Sequence, residues 1–168
     1  LSGPTNAEVP SYAQVVGALN RMAEPRDLAL TAAGGLPGEM CKTWKAKSTG
    51  TFDCEFGYSC MGYEIAGAWG AKMADPGRDV IAMIGDGSYL MMNSDIYSTV
   101  LTGHKLIVVV MDNGGFAVID RLQNFKGSRS FNNFIADCRI KEPVAVDFAA
   151  HAASMGALAE TVGSIGEL

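Results

Sequence analysis

Histidine is scarce in this chain of 168 residues, with His104 and His151 alone, and the four cysteines, Cys41, Cys54, Cys60 and Cys138, form no CxxC pair. Neither histidine falls in a ligand-like cluster and no GxSxG string occurs, so zinc and serine-hydrolase chemistries lack their usual sequence support. Basic residues are also in short supply, 13 Lys and Arg against 18 Asp and Glu for a net charge of −5, and they are scattered rather than gathered into a stripe. That balance argues against a nucleic-acid surface. No apolar run approaches the roughly 20 residues that a helix needs to cross a bilayer. The opening Leu1-Ser2-Gly3-Pro4 has neither the basic nor the apolar region of a signal peptide. The expectation is a soluble, cytoplasmic protein with free thiols, and with neither membrane nor nucleic acid as partner.

What is present is apolar material, 48% hydrophobic residues against 18% charged, enough for the core of one domain over residues 1–168. Ser11 ahead of Tyr12 to Met22, with Val15, Val16, Leu19 and Met22 on one side, reads as a capped amphipathic helix. A strand over Asp27 to Ala33 ends in Gly34-Gly35, a helix runs from Pro37 toward Trp44, and residues 50–58 read as loop or short strand. Gly62 to Ala74 is a helix of small residues. The turn Asp75-Pro76-Gly77-Arg78 feeds a strand from Val80 to Ile84, then come a helix over Tyr89 to Leu101 and a strand over Leu106 to Met111. After Gly115 the pattern loosens into a loop up to Asn133 that carries Arg121, Lys126 and Arg129, read as solvated cations. Pro143-Val144-Ala145-Val146 leads to a helix after Asp147, and Ala157 to Val162 resembles a last strand. Alternating strands and helices predict an α/β fold, a three-layer sandwich around a central parallel sheet.

The sharpest signal lies at the end of the Val80 strand, where the chain turns through Gly85-Asp86-Gly87-Ser88; twenty-five residues then separate Gly87 from Asn113, in Asp112-Asn113-Gly114-Gly115. That interval holds one helix and one strand, so Asp86 and Asn113 fall on the same edge of a parallel sheet. A diphosphate can be held by backbone N–H groups or through a divalent cation. Mg²⁺ takes oxygen ligands, and the Asp86 carboxylate, the Asn113 amide oxygen and a main-chain carbonyl offer three. Strand alternation aims Asp112 away from Asn113.

Strand, GDG, helix, strand and Asn at this spacing resembles the diphosphate-binding, C-terminal domain of thiamine-diphosphate-dependent enzymes in the acetolactate-synthase-like superfamily. The resemblance implies that Asp86 and Asn113 bind Mg²⁺ by side chain and Gly115 by its carbonyl, with Gly85, Gly87, Ser88, Asn113 and Gly115 around thiamine diphosphate. Cys60-Met61-Gly62 stands where this branch places a Met that wedges the cofactor into a bent conformation, which makes Met61 the candidate wedge. The strings from Glu55 to Ala68, from Gly85 to Met91 and from Asp147 to Ala157 are similar to the ring-opening diketone hydrolases of inositol catabolism within the branch. The implied activity is cofactor-dependent C–C cleavage of a cyclic diketone. The activating Glu and a pyrimidine-binding domain lie outside this chain in such enzymes, so no catalytic residue is assigned within it. A homodimer or homotetramer is implied, in which the pyrimidine-binding domain comes from the same or a partner subunit. The start at Leu1 and the end at Ser164-Ile165-Gly166-Glu167-Leu168, which resembles a helix just begun, suggest a piece of a longer protein.

Three other readings compete. A carboligase or decarboxylase acting on a 2-oxoacid would use the same half-site, and a non-catalytic domain could keep the fold. A nicotinamide dehydrogenase predicts GxGxxG, but position 90 is Leu and Asp86 would repel phosphates without a cation. Glu55 and Glu64 are read as structural, as are His104 and His151.

Overall fold

A computed structural model describes residues 9–142 and 144–168. Leu1-Ser2-Gly3-Pro4 and Pro143, both used above, lie outside them. The elements run α1 (Tyr12–Met22), β1 (Leu28–Thr31), α2 (Leu36–Thr43), β2 (Phe52–Cys54), α3 (Tyr63–Ala74), β3 (Val80–Gly85), α4 (Asp86–Met91), α5 (Asp95–Thr102), β4 (Ile107–Met111), α6 (Ala117–Phe125), a 3₁₀ turn at Ile135–Asp137, and α7 (Phe148–Ser154). The strands form one parallel sheet in the order β2-β1-β3-β4.

Alternation along β3 and β4 explains why both read as unbroken apolar runs. Ile81, Met83 and Met111 face α1 and α2, packing with Val16, Leu19, Leu36 and Met40. Val80 and Ala82 face the opposite side against Ala68 of α3. Ile84 continues that second face with Ile65, Tyr89 and Ile96. Helices therefore cover both faces of a parallel sheet, which is the three-layer sandwich expected.

The order 2-1-3-4 has a consequence for function. From β1 the chain moves outward to β2 and then returns to the other side of β1 for β3 and β4. The loops leaving β1 and β3 therefore part in opposite directions, and a crevice opens between their carboxyl ends.

Three expectations change. The helix over Tyr89 to Leu101 is two helices, because Met92 (φ −143°) leaves helical geometry and packs across Gly62. The stretch after Gly115 is not all loop, since Ala117–Phe125 forms α6 with Val118, Ile119, Leu122 and Phe125 at helical spacing. Residues 157–162 form no strand, and β4 pairs with β3 alone among the described residues. Leu158 there is fully exposed, at 104%, whereas a strand on that edge would have buried it. All four cysteines are free thiols, with burial foremost pushing Cys54 up to about 11. No helix among the described residues is long and apolar enough to cross a membrane.

Candidate functional site

A cleft of about 340 Å³ opens at the β1/β3 crevice, and Met61, Gly85, Asp86, Gly87, Ser88, Asn113 and Gly115 all line it. It gathers the expected site residues from the ends of β3 and β4 and from the turn before α3. Gly85 closes β3, and Asp86, only 5% exposed, opens α4. Burial, and after it the nearby Asp112, raise the Asp86 carboxyl above the usual carboxylate range, while N–H groups of Gly87 and Gly115 pull the other way. No Lys or Arg pairs with Asp86 or Asp112 among the described residues. Asp86 thus faces the cleft without an ion-pair partner among the described residues, the setting in which a buried carboxylate takes up a bound cation.

Asp112 itself is exposed and accepts the Gly114 N–H at 2.8 Å, which tightens the turn. Asn113 donates its amide N–H to the Tyr12 hydroxyl at 2.5 Å. That bond fixes the amide plane and leaves the amide oxygen as the acceptor for the cleft. Gly115 (φ +149°) lies against the backbone of Asn133 and Phe134, bridging to Phe134, where a Cβ would collide with the Asn133 carbonyl. Only glycine fits. At Gly87 a Cβ would stand 2.5 Å from the Phe116 ring and 3.4 Å from the Met61 methyl, so Met61 and Phe116 cover the bare backbone of the GDG turn. Gly85, where a Cβ would meet nothing within 4 Å, leaves open backbone beside an unpaired carboxylate, which suits a phosphate ester carrying a divalent cation.

Several wall residues had no signal of this kind in the sequence. Tyr12, Gly34, Gly35, Ser59, Phe116 and Arg121 also line the cleft. Arg121, read as solvated, is exposed yet lies with its guanidinium close to Gly35. Only the 3.6-residue periodicity of α6 could have placed it. Glu55, read as structural, ties its own loop by accepting the N–H groups of Tyr58 at 2.9 Å and Cys60 at 2.7 Å. His104 bonds Thr102 at 2.8 Å, and His151 pairs with the Tyr89 hydroxyl at 2.9 Å; neither is among the residues that line the cleft.

Comparison with known proteins places the chain. Residues 32–168 match the model of the thiamine pyrophosphate enzyme, C-terminal TPP binding domain. The chain belongs to this family. Within it, the chain is 38% identical over 141 residues to the 3D-(3,5/4)-trihydroxycyclohexane-1,2-dione hydrolase of Geobacillus thermodenitrificans, covering 78% of this chain and 22% of that protein. It is 38% identical over 161 residues to 3D-(3,5/4)-trihydroxycyclohexane-1,2-dione hydrolase 2 of Bacillus cereus, covering 92% of this chain and 25% of that protein. The chain thus spans a quarter or less of the length of these relatives. The fold is similar to that of the Rhodococcus jostii RHA1 thiamine diphosphate-dependent 4-hydroxybenzoylformate decarboxylase, with TM-score 0.85 at 16% identity over 98% of this chain and 30% of that one. As a TPP-binding domain of an enzyme family, this chain has thiamine diphosphate as its cofactor class.

Proposed function

We propose that this TPP-binding domain supplies the diphosphate and Mg²⁺ half of the active site of an enzyme that hydrolytically opens the ring of a trihydroxycyclohexane-1,2-dione, giving a deoxy-glucuronic acid in inositol catabolism. The observation that carries the reading is the cleft at the β1/β3 crevice, where Asp86, Asn113 and Gly115 meet Gly85, Gly87, Ser88 and Met61. The named relatives support the substrate.

In this reading the Asp86 carboxylate, the Asn113 amide oxygen and the Gly115 carbonyl hold Mg²⁺, and Gly85, Gly87 and Ser88 approach the diphosphate with their backbone. Met61, packed over the GDG turn, supports the cofactor from the side. Bound thiamine diphosphate supplies a nucleophilic carbon and an electron sink for cleaving a C–C bond next to a carbonyl. The chain's own contribution is to neutralise the diphosphate, set its orientation and exclude water on that side. A pyrimidine-binding domain, carrying the activating Glu, completes the site from elsewhere in the same or a partner subunit, in a homodimer or homotetramer.

Titration calorimetry on the intact protein tests the half-site. Thiamine diphosphate is expected to bind only with Mg²⁺, and Asp86→Ala to abolish that binding by deleting the charged ligand. Unchanged affinity in the variant would refute the metal assignment. Turnover of the inositol-derived diketone with none of pyruvate is the expected substrate pattern; the reverse would move the protein to the 2-oxoacid enzymes.

A further inference from the structure

Glu64, in the first turn of α3, is fully buried, at 0% exposure, and has no cationic partner among the described residues. Its carboxylate is held by three donors from three separate segments. One oxygen accepts the Ala33 N–H at 3.2 Å and the Ser88 hydroxyl at 3.3 Å, and the other accepts the Gly62 N–H at 3.0 Å. The Gly62 N–H also reaches the Ser88 hydroxyl oxygen at 3.3 Å.

A carboxylate buried without a counter-ion is costly, and an apolar side chain of similar volume serves packing as well or better. Packing alone therefore gives no reason for a glutamate here. Its partners do: Ala33 precedes Gly34-Gly35, Gly62 follows Met61, and Ser88 completes the GDG turn, and all three segments are walls of the cleft. The hydrogen-bond inventory settles a further point. A serine hydroxyl has a single proton, and the one on Ser88 is used on Glu64. Ser88 therefore meets an incoming anion through its backbone and not through its hydroxyl.

We propose that Glu64 is a positioning residue that presets the thiamine-diphosphate cleft, tying the β1 loop, the Met61-Gly62 turn and the GDG turn to one buried carboxylate and turning the Ser88 hydroxyl inward. The inference rests on the proposed cofactor site but makes separate claims. Glutamine is nearly the same size, yet one of its two ends donates, so it cannot accept from both the Gly62 side and the Ala33–Ser88 side.

The test is calorimetry with thiamine diphosphate and Mg²⁺ on the intact protein, comparing wild type, Glu64→Gln, Ser88→Ala and the double variant. Each single change is expected to weaken binding about tenfold, as for groups that orient ligands without touching the metal. The double variant is expected to be no weaker than the worse single one, because both changes break the same three-donor network around the buried side chain. Wild-type affinity in a folded Glu64→Gln, or losses that multiply in the double variant, would overturn the proposal. If wild type binds no thiamine diphosphate, it is the cofactor reading that fails. If Glu64→Gln does not fold, hydrogen exchange on the wild type decides. The Ala33 and Gly62 amides should be protected before cofactor is added and unchanged after; protection that appears only with cofactor would mean that the cleft is not preset.

Discussion

Asp86 carries the tension between folding and function at the scale of a single residue. Its carboxylate is buried near Asp112 with no ion-pair partner among the described residues, and burial followed by that neighbouring charge favours its protonated form. Asn is isosteric and uncharged, so Asp86→Asn should raise the thermal midpoint of the cofactor-free protein, by about 2–4 °C if the relief is near 1 kcal/mol. The same variant should lose the extra stabilisation that Mg²⁺ and thiamine diphosphate give the wild type. Differential scanning fluorimetry with and without the pair measures both, and a variant that melts below the wild type in the absence of ligand would contradict the account. Asp86 was readable in the sequence because GDG and Asn113 each occupy a short segment whose spacing fits one helix and one strand. Glu64 was not, since two of its three partners lie 31 residues upstream and 24 downstream. Tyr12 was harder still, as it meets Asn113 across 101 residues.

Individual elements transmit stability into the cleft. Ser11 and Gln14 form a reciprocal capping box on α1, with the Gln14 side chain accepting the Ser11 N–H at 2.8 Å and the Ser11 hydroxyl accepting the Gln14 N–H at 3.4 Å. Tyr12 is the first residue of that helix, so the cap holds the hydroxyl that orients Asn113. Ser11→Ala should cost about 1 kcal/mol in urea unfolding, and should also weaken Mg²⁺-dependent thiamine-diphosphate binding as the first turn frays. Arg21→Ala in the last turn should leave that binding unchanged, and equal affinity in the two variants would sever the link. Element ends and breaks were the least legible parts of the sequence. Asn93-Ser94-Asp95 are residues suited to a helix start, yet the apolar pattern on either side reads straight through them, and the break coincides with Met92 packing over Gly62. The helix α6 was masked by the charged and Gly-rich residues that follow it. Residues 157–162 resemble a strand in sequence, but a strand exists only where a neighbour offers hydrogen bonds.

Across the whole molecule, the parallel sandwich followed from the alternation of strand and helix patterns, whereas strand order is a tertiary property that no local pattern states. The sheet ties two kinds of carboxyl group together, and they set opposite pH responses. Glu64 sits under the sheet's carboxyl edge, where burial raises it above the ordinary range although Ala33, Gly62 and Ser88 donate to it, and its charge helps to raise Cys54 in turn. Asp79, at the opposite edge, is lowered, first by its hydrogen bond from Lys105 at 2.7 Å, with Lys72 adding its charge. A group whose folded value is raised binds protons more tightly in the folded state, so its ionisation destabilises the fold at neutral pH. Its contribution improves as pH falls through the raised value and is complete below the ordinary value of about 4.3. Asp86 acts in the same direction. Asp79 does the reverse: its contribution is present above about 3.9 and is lost as pH falls through its lowered folded value. The thermal midpoint of the cofactor-free protein, measured from pH 7 to pH 3 for wild type, Glu64→Gln and Asp79→Asn, separates the two groups. The midpoint of wild type relative to Glu64→Gln should climb as pH falls from 7 toward about 4.3, and relative to Asp79→Asn it should drop below about 3.9. A wild-type advantage over Glu64→Gln that shrinks on acidification would mean that the buried carboxylate is stabilised by its three donors more than it is penalised by burial.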